Sequence, residues 1–361
     1  MQTLHFTILL IFLTTLNFHG QTKEDSTETK DFGIFGYPYA FYSPETDLAF
    51  GVGGMLYFRT TKDSAIKLSN IILSGYYTIN NQYQITLAPE LYLSKSGDYF
   101  KSRLFYGRFI DKFYGYGSQS PEIENPDYLT TDFNAYFYFQ KNITENIKVG
   151  VTYDYFSATI TDKEDNPYLL NDAVVGTEGG VSSGIGFSAS WDSRDFVYIS
   201  TRGWYYYFSA VFYSKAFGSD YDFNEYVIDL REFYHFIQGH VLAFQGYANI
   251  ARGNPPFYEV PRLGGGTTMR GYFEGRYRDE IYLTMQMEYK TVLFWRFGGV
   301  LFGGLGDVAS EFSHFKMTNL KYSYGFGLRF VFDAKERLTI RADFGFGKNT
   351  SGVYFSMQEA F

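Results

Sequence analysis

The chain has 361 residues, no cysteine, 31 Lys plus Arg against 39 Asp plus Glu, and a formal net charge of −8. Without cysteine it carries no disulfide, thiol nucleophile, thiolate metal site or lipid-modified N-terminal Cys. The acidic balance excludes nucleic acid as the main partner, because phosphate binding needs a basic face. The 35 Tyr, 39 Phe and 37 Gly beside only 9 Pro favour pleated strands and tight turns over helices. A mean hydropathy of −0.21 would suit a soluble protein, but a wall that alternates apolar and polar residues averages to the same value.

In chain order, residues 1–20 read as an export signal. The uncharged apolar run Phe6 to Leu16 is too short to span a bilayer, and cleavage is placed after Gly20. Residues 21–32 are polar and charged and read as a disordered periplasmic tether. From there to the end the dominant period is two. Tyr322, Tyr324, Phe326, Leu328, Phe330 and Phe332 fall on one face, and Lys321, Ser323, Gly325, Gly327 and Arg329 on the other. Leu338, Ile340, Ala342, Phe344 and Phe346 repeat the pattern opposite Arg337, Thr339, Arg341, Asp343 and Gly345. A soluble sandwich also alternates, but with shorter strands and an aliphatic inner face. Segments of ten or more residues with Tyr and Phe on one side fit a lipid-facing band with aromatic girdles.

Residues 33–361 are therefore expected to form an all-β transmembrane antiparallel barrel of about sixteen strands. These fall near 35–43, 47–59, 65–78, 81–94, 99–111, 130–140, 145–157, 181–193, 203–214, 222–236, 239–251, 279–290, 297–309, 320–333, 335–347 and 350–361. Entry from the periplasm makes the odd connections extracellular. The longest (112–129, 158–180 and 252–278) are all odd, whereas even ones such as 94–98, 237–238 and 333–334 are short. Val353, Phe355, Met357 and Phe361 are expected on the outward face. They end in an aromatic like that by which outer-membrane barrels are recognised for assembly, with Glu359 where an aromatic is commoner.

The connection at 261–279, Pro-Arg-Leu-Gly-Gly-Gly-Thr-Thr-Met-Arg-Gly-Tyr-Phe-Glu-Gly-Arg-Tyr-Arg-Asp, is glycine-rich and apolar for an extracellular loop. A loop folded into the lumen explains this: glycines permit close backbone approach, and Arg270 can dock on a carboxylate of the wall. Met269-Arg270-Gly271-Tyr272 resembles the sixth-loop motif of the BamA/TamA-like outer-membrane barrels, also called the bacterial surface antigen family. Trp191-Asp-Ser-Arg-Asp195 with Thr201-Arg-Gly203, Met287-Glu-Tyr-Lys290, Asp343-Phe-Gly345 and Phe361 extend the resemblance over residues 180–361.

The resemblance implies that the loop arginine binds inward carboxylates on the next two strands. By parity Glu288 points inward and is the first expected partner. Phe302-Gly-Gly-Leu-Gly306 departs from the family pattern, with Gly304 where the second acid belongs and Asp307 one residue too far. The loop is then held by one carboxylate, or borrows lumenal Asp229 or Asp343. Asp229, Arg231, Arg329, Arg341 and Asp343 are expected to form a lumenal polar network. Family members that insert or secrete proteins usually carry POTRA domains before the barrel, and others a patatin lipase. The dozen residues between Gly20 and the first strand hold neither, so a stand-alone barrel is expected.

The first strand holds Gly33, Gly36 and Pro38, which weaken pairing at the seam with the last strand and Phe361. The resemblance implies a lateral gate there; a merely frayed strand end is the alternative. Gly180-Val-Ser-Ser-Gly184 matches a hydrolase string, but it leads into a barrel strand without the strand–turn–helix elbow that chemistry needs. His235, His240 and His314 are scattered without metal-ligand spacing, and Asp162-Lys-Glu-Asp-Asn166 reads as a solvated acidic loop. No enzyme activity, cofactor or metal is expected. The resemblance implies an outer-membrane barrel that assists insertion or translocation of outer-membrane protein substrates. Its surroundings would be membrane lipids and lipopolysaccharide, with separate periplasmic or surface partner proteins. A passive channel or structural barrel is the alternative.

Overall fold

The computed structural model describes residues 32–361 apart from 44–45, 62, 64–65, 171–172, 198, 334–337 and 358. The expected export signal and all of the expected tether except Phe32 lie outside the described residues. Phe32 itself opens the first strand.

Strands β1 (Phe32–Ser43), β2 (Asp47–Phe58), β3 (Ser69–Thr78), β4 (Tyr83–Tyr92), β5 (Tyr99–Lys112) and β6 (Asp127–Asn142) form the first part of the wall. It continues through β7 (Ile147–Thr161), β8 (Gly179–Asp192), β9 (Gly203–Tyr213), β10 (Phe223–Ile237) and β11 (His240–Gly253). The long connection that follows carries a two-residue ladder, β12 (Arg262–Leu263) with β13 (Tyr277–Arg278). The wall resumes with β14 (Ile281–Phe294), β15 (Phe297–Ala309), β16 (Lys321–Asp333), β17 (Leu338–Gly347) and β18 (Thr350–Met357). Apart from β12 and β13, every strand pairs antiparallel with its sequence neighbours, giving one 16-stranded sheet in chain order. Strands β1 and β18 come side by side without a ladder among the described residues, so the barrel is nearly closed.

The two walls invert the soluble pattern. On β16, Tyr322, Tyr324, Phe326 and Leu328 are exposed while Lys321, Ser323 and Arg329 are buried. Only a hydrocarbon surround makes this arrangement stable, and only a ladder running round the sheet satisfies the backbone there. No helix among the described residues is long and apolar enough to cross a membrane.

Inside, three apolar clusters mark where chain fills the barrel. Phe113, Tyr128, Leu169 and Phe257 roof the extracellular mouth, drawing together the β5–β6, β7–β8 and β11–β14 connections. Leu263, Met269 and Tyr272 of the long connection pack on Tyr282 and Val308 of the wall. Ala360 and Phe361 pack on Phe233 and Ala243.

That third cluster corrects an expectation. The last strand ends at Met357 rather than running to residue 361, and Phe361 lies buried against lumenal Phe233 instead of facing outward. Lys290 stands 5.5 Å from its ring centroid. Glu359 gives the reason: continued strand parity would hold its charge in lipid, whereas inside it meets Arg329 at 3.0 Å and Lys290 at 3.4 Å.

Replacing Phe326, near the middle of β16 and facing lipid, with Arg is expected to cost about 2–4 kcal/mol of barrel stability. Replacing Ser190, half-buried on the lumenal face of β8, with Thr should cost well under ~1 kcal/mol. Equilibrium unfolding from phospholipid vesicles measures both, and equal costs would contradict the assigned faces.

Candidate functional site

The site is assembled where the β11–β14 connection dips into the lumen. Met269 and Gly271 both have positive φ, 49° and 108°, and this turns the Arg270 side chain toward the wall. A Cβ at Gly271 would stand 2.7 Å from the Phe346 backbone, and one at Gly345 would stand 2.6 Å from Arg270 C. The two glycines thus let loop and wall backbones touch. The Gly271 N–H donates to Tyr354 Oη (3.0 Å), the Thr350 hydroxyl donates to the Gly271 carbonyl (2.9 Å), and the Ser323 hydroxyl donates to the Arg270 carbonyl. Tyr272 extends the grip, its hydroxyl donating to the Tyr322 carbonyl at 3.1 Å and accepting from the Lys348 N–H at 2.9 Å.

The Arg270 side chain is fully buried. One terminal nitrogen donates to Glu288 Oε1, the other to Asp343 Oδ2 at 2.6 Å, and the guanidinium lies 3.6 Å above the Phe302 ring. Glu288, placed inward by strand parity, is the carboxylate it meets on β14. Of the candidate second acids, Asp343 occupies the position. Asp307 instead pairs with Lys321 (2.8 Å) and accepts from Ser118 (2.8 Å). Gly304 places no side chain beneath the loop, and its backbone runs close under Gln286.

Around that pair lies a larger cluster. Asp343 also accepts from Arg329 (2.5 Å) and Arg341 (2.9 Å), and Lys290 stands 3.3 Å from Glu288. Arg341 additionally donates to the Gly266 carbonyl of the loop at 2.9 Å. Of the expected lumenal network, Arg329, Arg341 and Asp343 thus join Arg270. Asp229 and Arg231 form a separate pair (2.5 Å) against Tyr205. This pair reaches the loop through Gln245 and Gln286, which donates to the Thr267 carbonyl at 2.9 Å.

Sequence reasoning missed a second anchor. Arg278, at the exit of the same loop and fully buried, donates to Asp111 Oδ2 (3.0 Å) and the Lys112 carbonyl (2.7 Å) on β5. Arg262 reaches the same carboxylate at 3.4 Å. One loop is therefore tied to β14 and β17 by Arg270 and to β5 by Arg278. Alternating parity does mark Asp111 as inward, but no local signal links it to residue 278.

Between the loop and the wall of β5 to β11 lies a chamber of about 660 Å³ lined by Arg103, Asp154, Glu225, Tyr258, Glu259 and Arg262 among others. Desolvation, and next the charge of Asp154, push the loop residue Glu259 up to about 8. At the seam, Gly33, Gly36 and Pro38 pair with Tyr57, Gly54 and Val52 of β2, and Phe361 has left the wall. The Gly180–Gly184 string runs as strand β8. His235 and His240 flank the β10–β11 turn, and His240 Nδ1 lies 2.6 Å from Tyr289 Oη. No group of acids and histidines able to hold a metal occurs among the described residues.

The cluster holds four cations, Arg270, Arg329, Arg341 and Lys290, against three carboxylates, Glu288, Asp343 and Glu359. Removing Arg270 leaves it balanced, so Arg270→Ala should loosen the loop while the barrel stays folded. Glu288→Ala should act likewise with a larger effect. Asp343→Ala strips three arginines at once and should cost the barrel about 3–5 kcal/mol. Trypsin cleavage at Arg262, Arg276 and Arg278, the sites that all three variants keep, ranks them when read beside unfolding. Unchanged cleavage in both Arg270→Ala and Glu288→Ala would overturn the docking. A second outcome concerns pH. A carboxyl raised from 4.5 to about 8 by docking favours the docked loop fully below 4.5, and the advantage is lost as pH rises through 8. Loop cleavage should therefore increase between pH 6 and pH 9 (~6 to ~9), and Glu259→Gln should flatten that rise.

Residues 58–361 match the Omp85 superfamily domain. No curated protein matches the chain. Among solved structures, BamA from Haemophilus ducreyi lacking POTRA domains 1–3 is similar at a TM-score of 0.62 and 13% identity, covering 91% of this chain and 71% of that one. CdiB from Acinetobacter baumannii is similar at 0.56 and 12%, covering 91% and 59%. The chain thus spans less than two thirds of the length of CdiB. At these identities the likeness is one of fold, a 16-stranded outer-membrane barrel. Together with the family match over most of its length, it identifies the chain as a member of the Omp85 superfamily.

Proposed function

We propose that this barrel assists the insertion or translocation of outer-membrane proteins, with separate periplasmic or surface proteins supplying substrate recognition. The observation that carries the reading is the seam: among the described residues β1 and β18 stand side by side without a ladder, and residues 359–361 turn from the wall into the lumen. Unpaired backbone groups in hydrocarbon cost several kcal/mol each. Two such edges therefore attract a strand that can pair with them, the same physics as strand addition to an open sheet. Membership of the Omp85 superfamily supports the reading. The same membership implies a place in the bacterial outer membrane.

Because the chain has no native cysteine, one cysteine at Tyr37 can be scanned against cysteines along β18 to find pairs that crosslink. In liposomes, the reduced protein should speed the folding of a small outer-membrane barrel client, the crosslinked protein should not, and reductant should restore the rate. Equal client folding with the seam closed would sink the proposal. Planar-bilayer recording separates the alternative. A large, steady conductance would make the barrel a passive channel, whereas a lumen occupied by the docked loop should give small or flickering currents.

A further inference from the structure

The lipid-facing side of β10 carries Leu230, Tyr234 and Phe236, all exposed, and between them Glu232. Register places Glu232 opposite Trp204 on β9 and Phe244 on β11, both on the outward face. It stands five positions before the strand ends at the short turn 238–239, on the periplasmic side. Trp204 is the second residue of β9 and Trp191 the second-to-last of β8, so this is the level of the periplasmic aromatic girdle. The Trp191 and Trp204 rings meet edge-on at 5.2 Å, and Tyr206 lies 6.2 and 6.4 Å from them.

The carboxylate has donors but no counter-charge. The Tyr206 hydroxyl donates to Oε1 and the Tyr234 hydroxyl to Oε2, and no lysine, arginine or histidine forms an ion pair with it among the described residues. A carboxylate on a lipid-facing wall is unfavourable unless something cationic meets it. Phenols neutralise nothing. They do hold the carboxylate in place and leave lone pairs free on each oxygen, while the ring faces beside it attract cations.

We propose that Glu232, with Tyr206, Tyr234 and Trp204, binds the primary ammonium headgroup of a phospholipid in the periplasmic leaflet. A primary ammonium brings three N–H donors and a full positive charge to the free lone pairs, and its alkyl stem lies against Trp204. A quaternary ammonium keeps the ring attraction but has no donor. An anionic headgroup without an amine meets only repulsion.

The test uses the full barrel released from nanodiscs of equimolar phosphatidylethanolamine, phosphatidylcholine and phosphatidylglycerol, with retained lipids counted by native mass spectrometry. The wild type should retain phosphatidylethanolamine about tenfold over phosphatidylglycerol, the equivalent of one charge-assisted hydrogen bond, with phosphatidylcholine between. Glu232→Gln keeps both tyrosine contacts but removes the charge and should abolish the preference. The Tyr206→Phe and Tyr234→Phe double variant, which frees the carboxylate to swing, should reduce it about threefold and serves if Glu232→Gln fails to fold. Equal retention of the three lipids by wild type means annular lipid only and overturns the proposal. So does an undiminished preference in Glu232→Gln.

Discussion

A guanidinium held out of water by a loop is the constraint on which the rest of the barrel's interior depends. Once the loop enters the lumen the wall must meet the full charge of a guanidinium. It does so with Glu288, Asp343 and the face of Phe302. The glycines at 271 and 345 follow from the same need, because any side chain at either would lift the loop off the wall. Yet the charge balance of the wall does not require Arg270. Arg329, Arg341 and Lys290 already balance Glu288, Asp343 and Glu359. Docking thus adds an excess positive charge, attracted by two carboxylates and repelled by three neighbouring cations. Such a contact is specific in geometry and modest in net energy, which suits a loop that docks reversibly.

The same cluster joins the loop to the seam. Glu359 pairs with Arg329, Arg329 with Asp343, and Asp343 with Arg270. Withdrawing residues 359–361 from the lumen removes one carboxylate from a network already short of negative charge. Arg329 then draws harder on Asp343, at the expense of Arg270. Loop docking and the inward turn of residues 359–361 therefore favour each other through shared ion pairs.

Most of the wall was legible because hydrocarbon outside and water inside impose a strict period of two, and the alternation of Tyr322 to Phe332 can be met in no other way. Glu288 was legible for the same reason. Asp343 was only one of two acids on offer, since parity shows that a residue faces inward but not its depth in the barrel. Depth depends on register, here Asp343 opposite Tyr354 and Gly327. The Arg278–Asp111 anchor lay beyond reach, because it depends on the path of the connection across the mouth. Phe361 was misplaced by extending parity past the end of pairing, although Glu359 marked the break: a carboxylate does not continue a lipid-facing row without a partner.

These energies bear on the direction in which anything leaves the barrel. An axial route to the outside must break the Arg278 anchor, about 3–5 kcal/mol if Asp111 is left bare, and the more modest docking of Arg270. It must also part the roof of Phe113, Tyr128, Leu169 and Phe257. A lateral route has no ladder between β1 and β18 to break among the described residues. It must release Phe361, whose burial contributes about 1.5–3 kcal/mol, together with the Glu359 pairs near the rim. Every strand added at the seam then satisfies backbone groups that lipid leaves unmet. On this accounting the lateral route is the less costly of the two, which supports the opening proposed above.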